Sequence, residues 1–177
     1  MAVEKKVSEL PTTTSIVQPT DVVVADVGST TYKVSHNQLF TFQVGDVLSD
    51  STYMGIVLKG ILCGETLALP HVVYLDDTSG RWKKADADGT GTWPARGVVV
   101  AGGANGDACT VLVVGVIQYS TWAWTAKNKT LYLDDVTPGG ITETAPAGSG
   151  DCIQVIGFAL SDDEAFFNFT GEYQEHQ

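Results

Sequence analysis

The feature that most constrains the fold of this chain is a series of short, β-branched apolar runs separated by turn residues. From Gly55 onward these runs are GIVLKGILC, HVVYL, RGVVVAG, CTVLVVGVIQY, TLYL, CIQVIGFAL and AFFNF. Such runs are typical of β-strands. Between them stand DDTSGRW, DADGTG, GGANGD, DDVTPGG and PAGSGD, whose Gly, Asp, Asn and Pro residues supply the backbone angles of tight turns. The pattern predicts an all-β fold, either a β-sandwich or a barrel.

The N-terminal part of the chain has a different composition and predicts a separate module. Its first 34 or so residues are richer in Thr, Val and Pro. Candidate strands at 21–25 and 31–34 flank the sequence DVGS at 26–29, which is typical of a hairpin turn. We therefore expect a small N-terminal attachment module over 1–44, followed by a larger β domain over 45–177.

One short helix is predicted within this N-terminal module. Ser35 stands three residues before Gln38, which is the order of a capping box, and Leu39, Phe40 and Phe42 follow. The pattern supports only one or two helical turns.

The larger domain contains what reads as the same unit twice, over about 55–110 and 111–170. Each copy has a Gly in its first strand, the tetrapeptide YLDD and a Gly in a later strand, at an offset of about 55 to 60 residues. The matching positions include Tyr74 and Tyr132, and Gly97 and Gly157. An internal duplication would produce two halves that pack on each other, and the alternative is a chance match of YLDD.

Composition and charge exclude several classes of function. Charged residues are 18% of the chain, below the roughly 25% of ordinary soluble domains, and hydrophobic residues are 44%. The net charge is -11 and Lys and Arg form no block, which argues against binding to nucleic acid or anionic membranes. No apolar run approaches the roughly 20 residues of a membrane span, and the first residues lack the apolar stretch of an export signal. We expect a protein that is made and kept in a cytoplasm.

The residues that usually carry catalysis or bind metals are not arranged for either role. The three cysteines lie inside or beside apolar runs without CxxC spacing, and they are predicted to be core residues: Cys63, Cys109 and Cys152. The three histidines have no carboxylate or Cys at ligand or triad spacing: His36, His71 and His176. GGANGD lacks the Lys-Ser/Thr ending of a phosphate loop, and no GxSxG occurs. The chain is predicted to be no enzyme, with no cofactor and no metal.

Acidic residues cluster at the predicted turns and have two interpretations. They are Asp76, Asp77, Asp86, Asp88, Asp134 and Asp135. Asp commonly begins a type I turn by accepting backbone hydrogen bonds, and this is the favoured interpretation. The alternative is a Ca²⁺ site formed where neighbouring loops converge.

Four tryptophans are candidate contact residues: Trp82, Trp93, Trp122 and Trp124. Trp122 and Trp124 alternate, which would place them on one face of a strand. Aromatic residues are enriched at subunit interfaces, and this is the favoured role. Their flat faces also stack on sugars, so a glycan platform is the alternative.

The β domain resembles a module of bacteriophage structural proteins, which include capsid decoration proteins and head or tail fibres. The resemblance covers roughly 45–169 and rests on the order VVYLDDTSGRWKKADAD, WPARGVVV, VLVVGVI and LYLDDVTPGGITETAPAGSGDCIQVIGFALSDDEAFFNF. These are patterns of strand and turn residues, without a catalytic fingerprint.

The N-terminal sequence KKVSELPTTTSIVQPTDVVVADVGSTTYKVSHNQL is similar to the segment that begins many phage fibre proteins. There it attaches the fibre to the particle. Carried over to this chain, the resemblance implies docking or trimer-forming positions at Leu10, Asp21, Tyr32, Lys33 and Leu39. The chain lacks the long shaft of a tail fibre, which favours a short head fibre or a decoration protein.

Together, the residues and the resemblance predict a virion structural protein that is assembled in the host cytoplasm. We expect a homotrimer whose N-terminal module binds the major capsid protein or another virion protein. The alternative is a tail-associated adhesin module that binds a receptor or a host surface glycan. A small hydrolase is a further rival, for which the sequence supplies no catalytic constellation.

Overall fold

The computed structural model describes residues 22–27, 30–35 and 48–177, and all regular secondary structure in these ranges is β-strand. The all-β prediction is confirmed, and each of the seven apolar runs contains a strand. The strands are β1 Val22–Val27, β2 Thr30–Ser35, β3 Thr52–Leu62, β4 Val72–Leu75, β5 Trp82–Lys84, β6 Gly97–Ala101, β7 Ala108–Gln118, β8 Thr130–Leu133, β9 Ile141–Thr142, β10 Cys152–Ile153, β11 Val155–Ala159, β12 Glu164–Asn168 and β13 Gln174–Glu175. Within the described ranges, no helix is long and apolar enough to cross a membrane.

The chain divides into two compact units, residues 1–44 and residues 45–177. In the first unit β1 pairs antiparallel with β2, and Val27 lies opposite Thr30.

Most of the residues proposed for attachment fall outside the part of the chain that the structure describes. Leu10, Asp21 and Leu39 lie there, and so does the predicted helix beyond Ser35, which is itself the last residue of β2. Tyr32 and Lys33 are in β2.

In the second unit, nine strands form one curled antiparallel sheet. Eight of them follow the order β5-β4-β6-β7-β12-β11-β8-β9, and β3 pairs with β7. Because β3 runs along nearly all of β7, the shorter strands β6 and β12 share the other edge of β7. There β6 pairs with its residues 110–112 and β12 with its residues 114–118. The 11-residue strand β7 is therefore common to both halves of the sheet.

Buried apolar side chains lie on both faces of the sheet. The larger core includes Val72 and Val98, and the smaller core includes their neighbours Val73 and Val99, which point to the opposite face because strand side chains alternate. We call the face that carries the larger core the inner face, and the face that carries the smaller core the outer face. Cys63, just after β3, bridges Trp82 of β5, so the first half of the sheet curls around the smaller core.

The same order of strand pairings occurs twice in this sheet. β4 pairs with β5 and β6, and β6 pairs with β7; likewise β8 pairs with β9 and β11, and β11 pairs with β12. Val73 lies opposite Gly97 in the first set, and Leu131 lies opposite Gly157 in the second. Their surroundings differ, because Val73 is in the smaller core and Leu131 in the larger one.

Candidate assembly surface

Strand β3 is a long edge strand with exposed apolar side chains. It has 11 residues, and its one strand partner among the described residues is β7. Ile56 is 60% exposed, and Tyr53, Leu58 and Leu62 are exposed as well. Edge strands of soluble proteins are normally short, charged, interrupted by Pro or covered, because a free edge pairs readily with other chains.

On the outer face of the sheet, the apolar side chains of β3 are continued by those of β7, β12 and β11. Met54 lies opposite Val116 of β7, Val116 lies opposite Phe166 of β12, and Phe166 lies opposite Phe158 of β11. The Phe158 and Phe166 rings are 5.4 Å apart between centroids. We call this surface the apolar stripe. Ile56, Leu58 and Phe158 are its exposed members, Met54, Val114 and Phe166 are partly exposed, and Val116 between them is buried.

Charge is scarce along β3. From Ser51 to Gly64 there is no acidic residue, and Lys59 is the single basic one. Asp50 lies just before this stretch, and its carboxylate accepts a 2.7 Å hydrogen bond from the Ser120 backbone N–H. This bond and the Ser120 hydroxyl lower the pKa of Asp50. The negative charge is thus held at the start of β3, and the strand itself stays apolar.

All four tryptophans contact the protein's own cores. Trp82 is 2% exposed and belongs to the smaller core. Trp122 and Trp124 lie 5.1 Å apart between ring centroids, and both contact the larger core. Both side chains pack against the same core. They lie in the loop between β7 and β8, however, so the strand predicted from their alternation was wrong.

Trp93 is the tryptophan whose surroundings best suit an external ligand. It is partly exposed, and its ring meets that of Tyr173 edge to face with centroids 4.7 Å apart. Tyr173 is itself 48% exposed. The two rings therefore present an aromatic corner to solvent, although Trp93 also contacts the larger core.

The turn aspartates mostly bind backbone and side-chain donors of their own turns. Asp76 accepts a 2.8 Å hydrogen bond from the Ser79 N–H and lies 3.2 Å from the Lys83 ammonium. The Ser79 hydroxyl and N–H are the main causes of its lowered pKa. Asp134 accepts a bond from the Val136 N–H. These contacts agree with the turn interpretation.

Asp86 is a partly buried turn aspartate whose pKa is raised. Partial burial is the main cause, and the Asp88 carboxyl and the charge of Asp134 add to it. In the described part of the chain, no group of three or more His, Cys, Asp or Glu side chains could hold a metal ion.

The cysteines are buried and free, as predicted for core residues. Burial raises the pKa of Cys152 to about 11. Burial and the neighbouring Cys63 thiol raise the pKa of Cys109 to about 12. Both groups are protonated thiols at neutral pH, and a thiol in this form is a poor nucleophile.

Sequence reasoning did not single out the residues of the apolar stripe. Alternation alone shows that Ile56 and Leu58 share a face, but not that the face lacks a cover. A usable signal was present in the acid-free stretch from Ser51 to Gly64, since the chain as a whole carries 21 acidic residues.

Comparison with known proteins adds no relative. No protein-family model matches the chain, and neither the curated proteins nor the solved structures contain a significant match.

Proposed function

We propose that this protein is a structural component of a bacteriophage particle, either a capsid decoration protein or a head fibre, and that it is not an enzyme. Residues 1–44 attach it to the major capsid protein or another virion protein, and residues 45–177 project outward. It acts as a homotrimer in the virion, where it reinforces the particle without catalytic turnover. The resemblance of the sequence to virion proteins supports the location.

The apolar stripe is the structural observation that supports an assembly role. Contiguous exposed apolar surface on a soluble protein usually marks a contact site. The free edge of β3 lies beside the stripe, and a free edge is a template for pairing with another chain. On a particle, many copies bind side by side, so individually modest contacts hold the protein in place.

We infer further that the β domain arose by internal duplication, with repeats over about 55–110 and 111–170, and that it is a sandwich or barrel variant. The repeated pairing order and the equivalent positions of Gly97 and Gly157 support this inference. The burial of Val73 and Leu131 in different cores is the main divergence between the two halves.

Reconstruction of particles assembled with and without this chain tests the proposal. We expect density on the capsid lattice that disappears when the chain is removed. Density lost from the tail would favour the adhesin alternative. Identical reconstructions would contradict both, because a structural component must occupy a defined place on the particle.

Attachment through the N-terminal module can be tested separately. Tyr32→Ala, at a position that the resemblance assigns to docking, is expected to lower the number of copies per particle. Val136→Ala is the matched control, because Val136 is 82% exposed in the turn between β8 and β9. Equal occupancy of the two variants would show that Tyr32 takes no part in docking.

A tail-associated adhesin remains the second candidate, and the corner formed by Trp93 and Tyr173 favours it. Flat aromatic faces of this kind bury the apolar side of a sugar ring. If the chain binds a host glycan there, titration with surface polysaccharide should change the tryptophan fluorescence. Trp93→Ala should then abolish the change, whereas Trp82→Phe, in the smaller core, should not. An unchanged spectrum at millimolar sugar would remove this candidate.

A further inference from the structure

The apolar stripe and the free edge of β3 have no cover among the described residues. We propose that a second copy of this chain covers them, so that the stripes of neighbouring copies face each other. The inference rests on the proposed function in expecting several copies, and it extends that function by naming the surface through which they meet.

The length of β3 makes it a suitable contact. Its 11 residues extend for about 35 Å at the rise of a β-strand, so the free edge is long for a small domain. No Pro interrupts it, and Lys59 is its single charged residue. The features that usually protect an edge strand, here Lys59 and the irregular pairing between Lys59 and Leu62, are confined to the second half of β3.

The distribution of charge favours an identical copy over a basic partner. The net charge is -11, so two copies repel each other over most orientations. This repulsion is weakest where neither surface carries acid, and β3 with its flanks, Ser51 to Gly64, has no acidic residue of its own. β7 extends this stretch as far as Val116, because the nearest carboxylates of β12 and its turn, Glu164 and Asp163, lie beside Gln118. A basic partner would instead be drawn to the acidic turns.

The exposed apolar side chains of the stripe also favour a second copy as the partner. Ile56, Leu58 and Phe158 are each more than a third exposed in the single chain. Burying them requires an opposing surface that is apolar and also lacks charge, and the stripe of a second copy has both properties. The contact is compatible with a two-fold axis, and also with a three-fold axis at which three stripes converge.

The mass of the full-length protein in solution tests the proposal, with Ile56→Glu as the disrupting variant. The wild-type chain is expected to have the mass of two or more chains by light scattering coupled to size-exclusion chromatography. Glu at position 56 would place a charge in the apolar contact, so we expect association at least about tenfold weaker. Val136→Glu adds the same charge at an equally apolar and more exposed position away from β3, and it should leave the mass unchanged.

Three results would overturn the proposal. A wild-type mass of one chain would mean that another part of the chain, or a different protein, covers the stripe. An Ile56→Glu variant that keeps the wild-type mass would place the contact elsewhere. Equal loss of mass in both variants would show an effect of net charge alone. Circular dichroism checks that each variant is folded, which is expected because residue 56 is on the surface.

The experiments distinguish failure of the proposed contact between copies from failure of the proposed virion role. Particles that bind a monomeric protein would support a virion role and overturn the contact between copies. An oligomer that Ile56→Glu dissociates, but that binds no particle, would support the contact and overturn the virion role.

Discussion

At the scale of single residues, the buried polar group with the largest expected effect on stability is Gln154. It is 1% exposed, and its amide clamps the backbone of Ala95. The Ala95 N–H donates to Oε1 at 2.7 Å, and Nε2 donates to the Ala95 carbonyl at 3.0 Å. The clamp joins the residue between β10 and β11 to the loop before β6, which are 59 positions apart in the chain.

Gln154→Leu is expected to lower the free energy of unfolding by about 2–6 kcal/mol. The substitution keeps the apolar volume but leaves two buried backbone groups unpaired, at roughly 1–3 kcal/mol each. Urea unfolding measures the change. Gln174→Leu, at an exposed position, is the control and should change stability by less than about 0.5 kcal/mol. A loss below about 1 kcal/mol for Gln154→Leu would mean that the clamp is relaxed in solution.

Asp86 predicts a dependence of stability on pH with an unusual sign. Its pKa is raised in the folded state, so the folded protein holds this proton more tightly than the unfolded chain. Stability from this residue is therefore present at low pH and lost as the pH rises above 3.8 through the raised value. Asp86→Asn should stabilise the protein at neutral pH by less than about 1 kcal/mol and have no such effect below the pKa of the unfolded chain. Thermal melting of both proteins across this range checks the sign, and a destabilised variant at pH 7 would contradict it.

At the scale of elements, the pairing of β3 with β7 depends on two glycines that face each other. Gly55 and Gly115 lie directly opposite, with positive φ values of 154° and 151°. A Cβ on Gly115 would overlap the Met54 carbonyl oxygen and lie 2.7 Å from the Gly55 Cα. The strands therefore approach more closely here than any side chain allows.

Gly115→Ala is expected to cost about 3 kcal/mol or more, because the clash with backbone atoms adds to the strain of a positive φ. Gly150→Ala is the matched control. Gly150 also has a positive φ, of 89°, but its Cβ would meet nothing within 4 Å, so the cost should be about 1–2 kcal/mol. Chemical denaturation of both variants gives the comparison. Equal costs would show that the close approach of β3 and β7 contributes nothing.

β7 also shows why alternation alone does not assign faces. Leu112 and Ile117 both reach the larger core although five positions separate them, an odd number that strict alternation would place on opposite faces. The register explains it, because Ile56 lies opposite Val114 and Val57 opposite Leu112, so Val113 is an extra residue in β7. A bulge of this kind changes which residues are buried, and only the partner strand reveals it.

At the scale of the whole molecule, the balance between net charge and the apolar stripe decides how copies interact. Charge repels copies at long range, whereas apolar contact acts at short range. Raising the salt concentration from about 0.1 M to about 1 M shortens the screening length from about 10 Å to about 3 Å. We therefore expect association of the wild-type chain to strengthen with salt. Sedimentation velocity at a fixed protein concentration measures this, and weaker association at high salt would point to ion pairs at the contact.

The all-β class, the strands within the seven apolar runs and the core role of the cysteines could be predicted from sequence, whereas β5 and β9 were missed and Trp82 of β5 was assigned to a turn. These properties follow from local chemistry, since β-branched runs favour extended backbone and Gly, Asp and Pro favour turns. Which face of each strand is buried became clear only from the packing of the sheet. This packing placed Trp82 in a core, put Trp122 and Trp124 in a loop against another core, and left Ile56 and Phe158 exposed. Burial depends on what packs against each face of the sheet, and residues distant in the chain form that opposing surface.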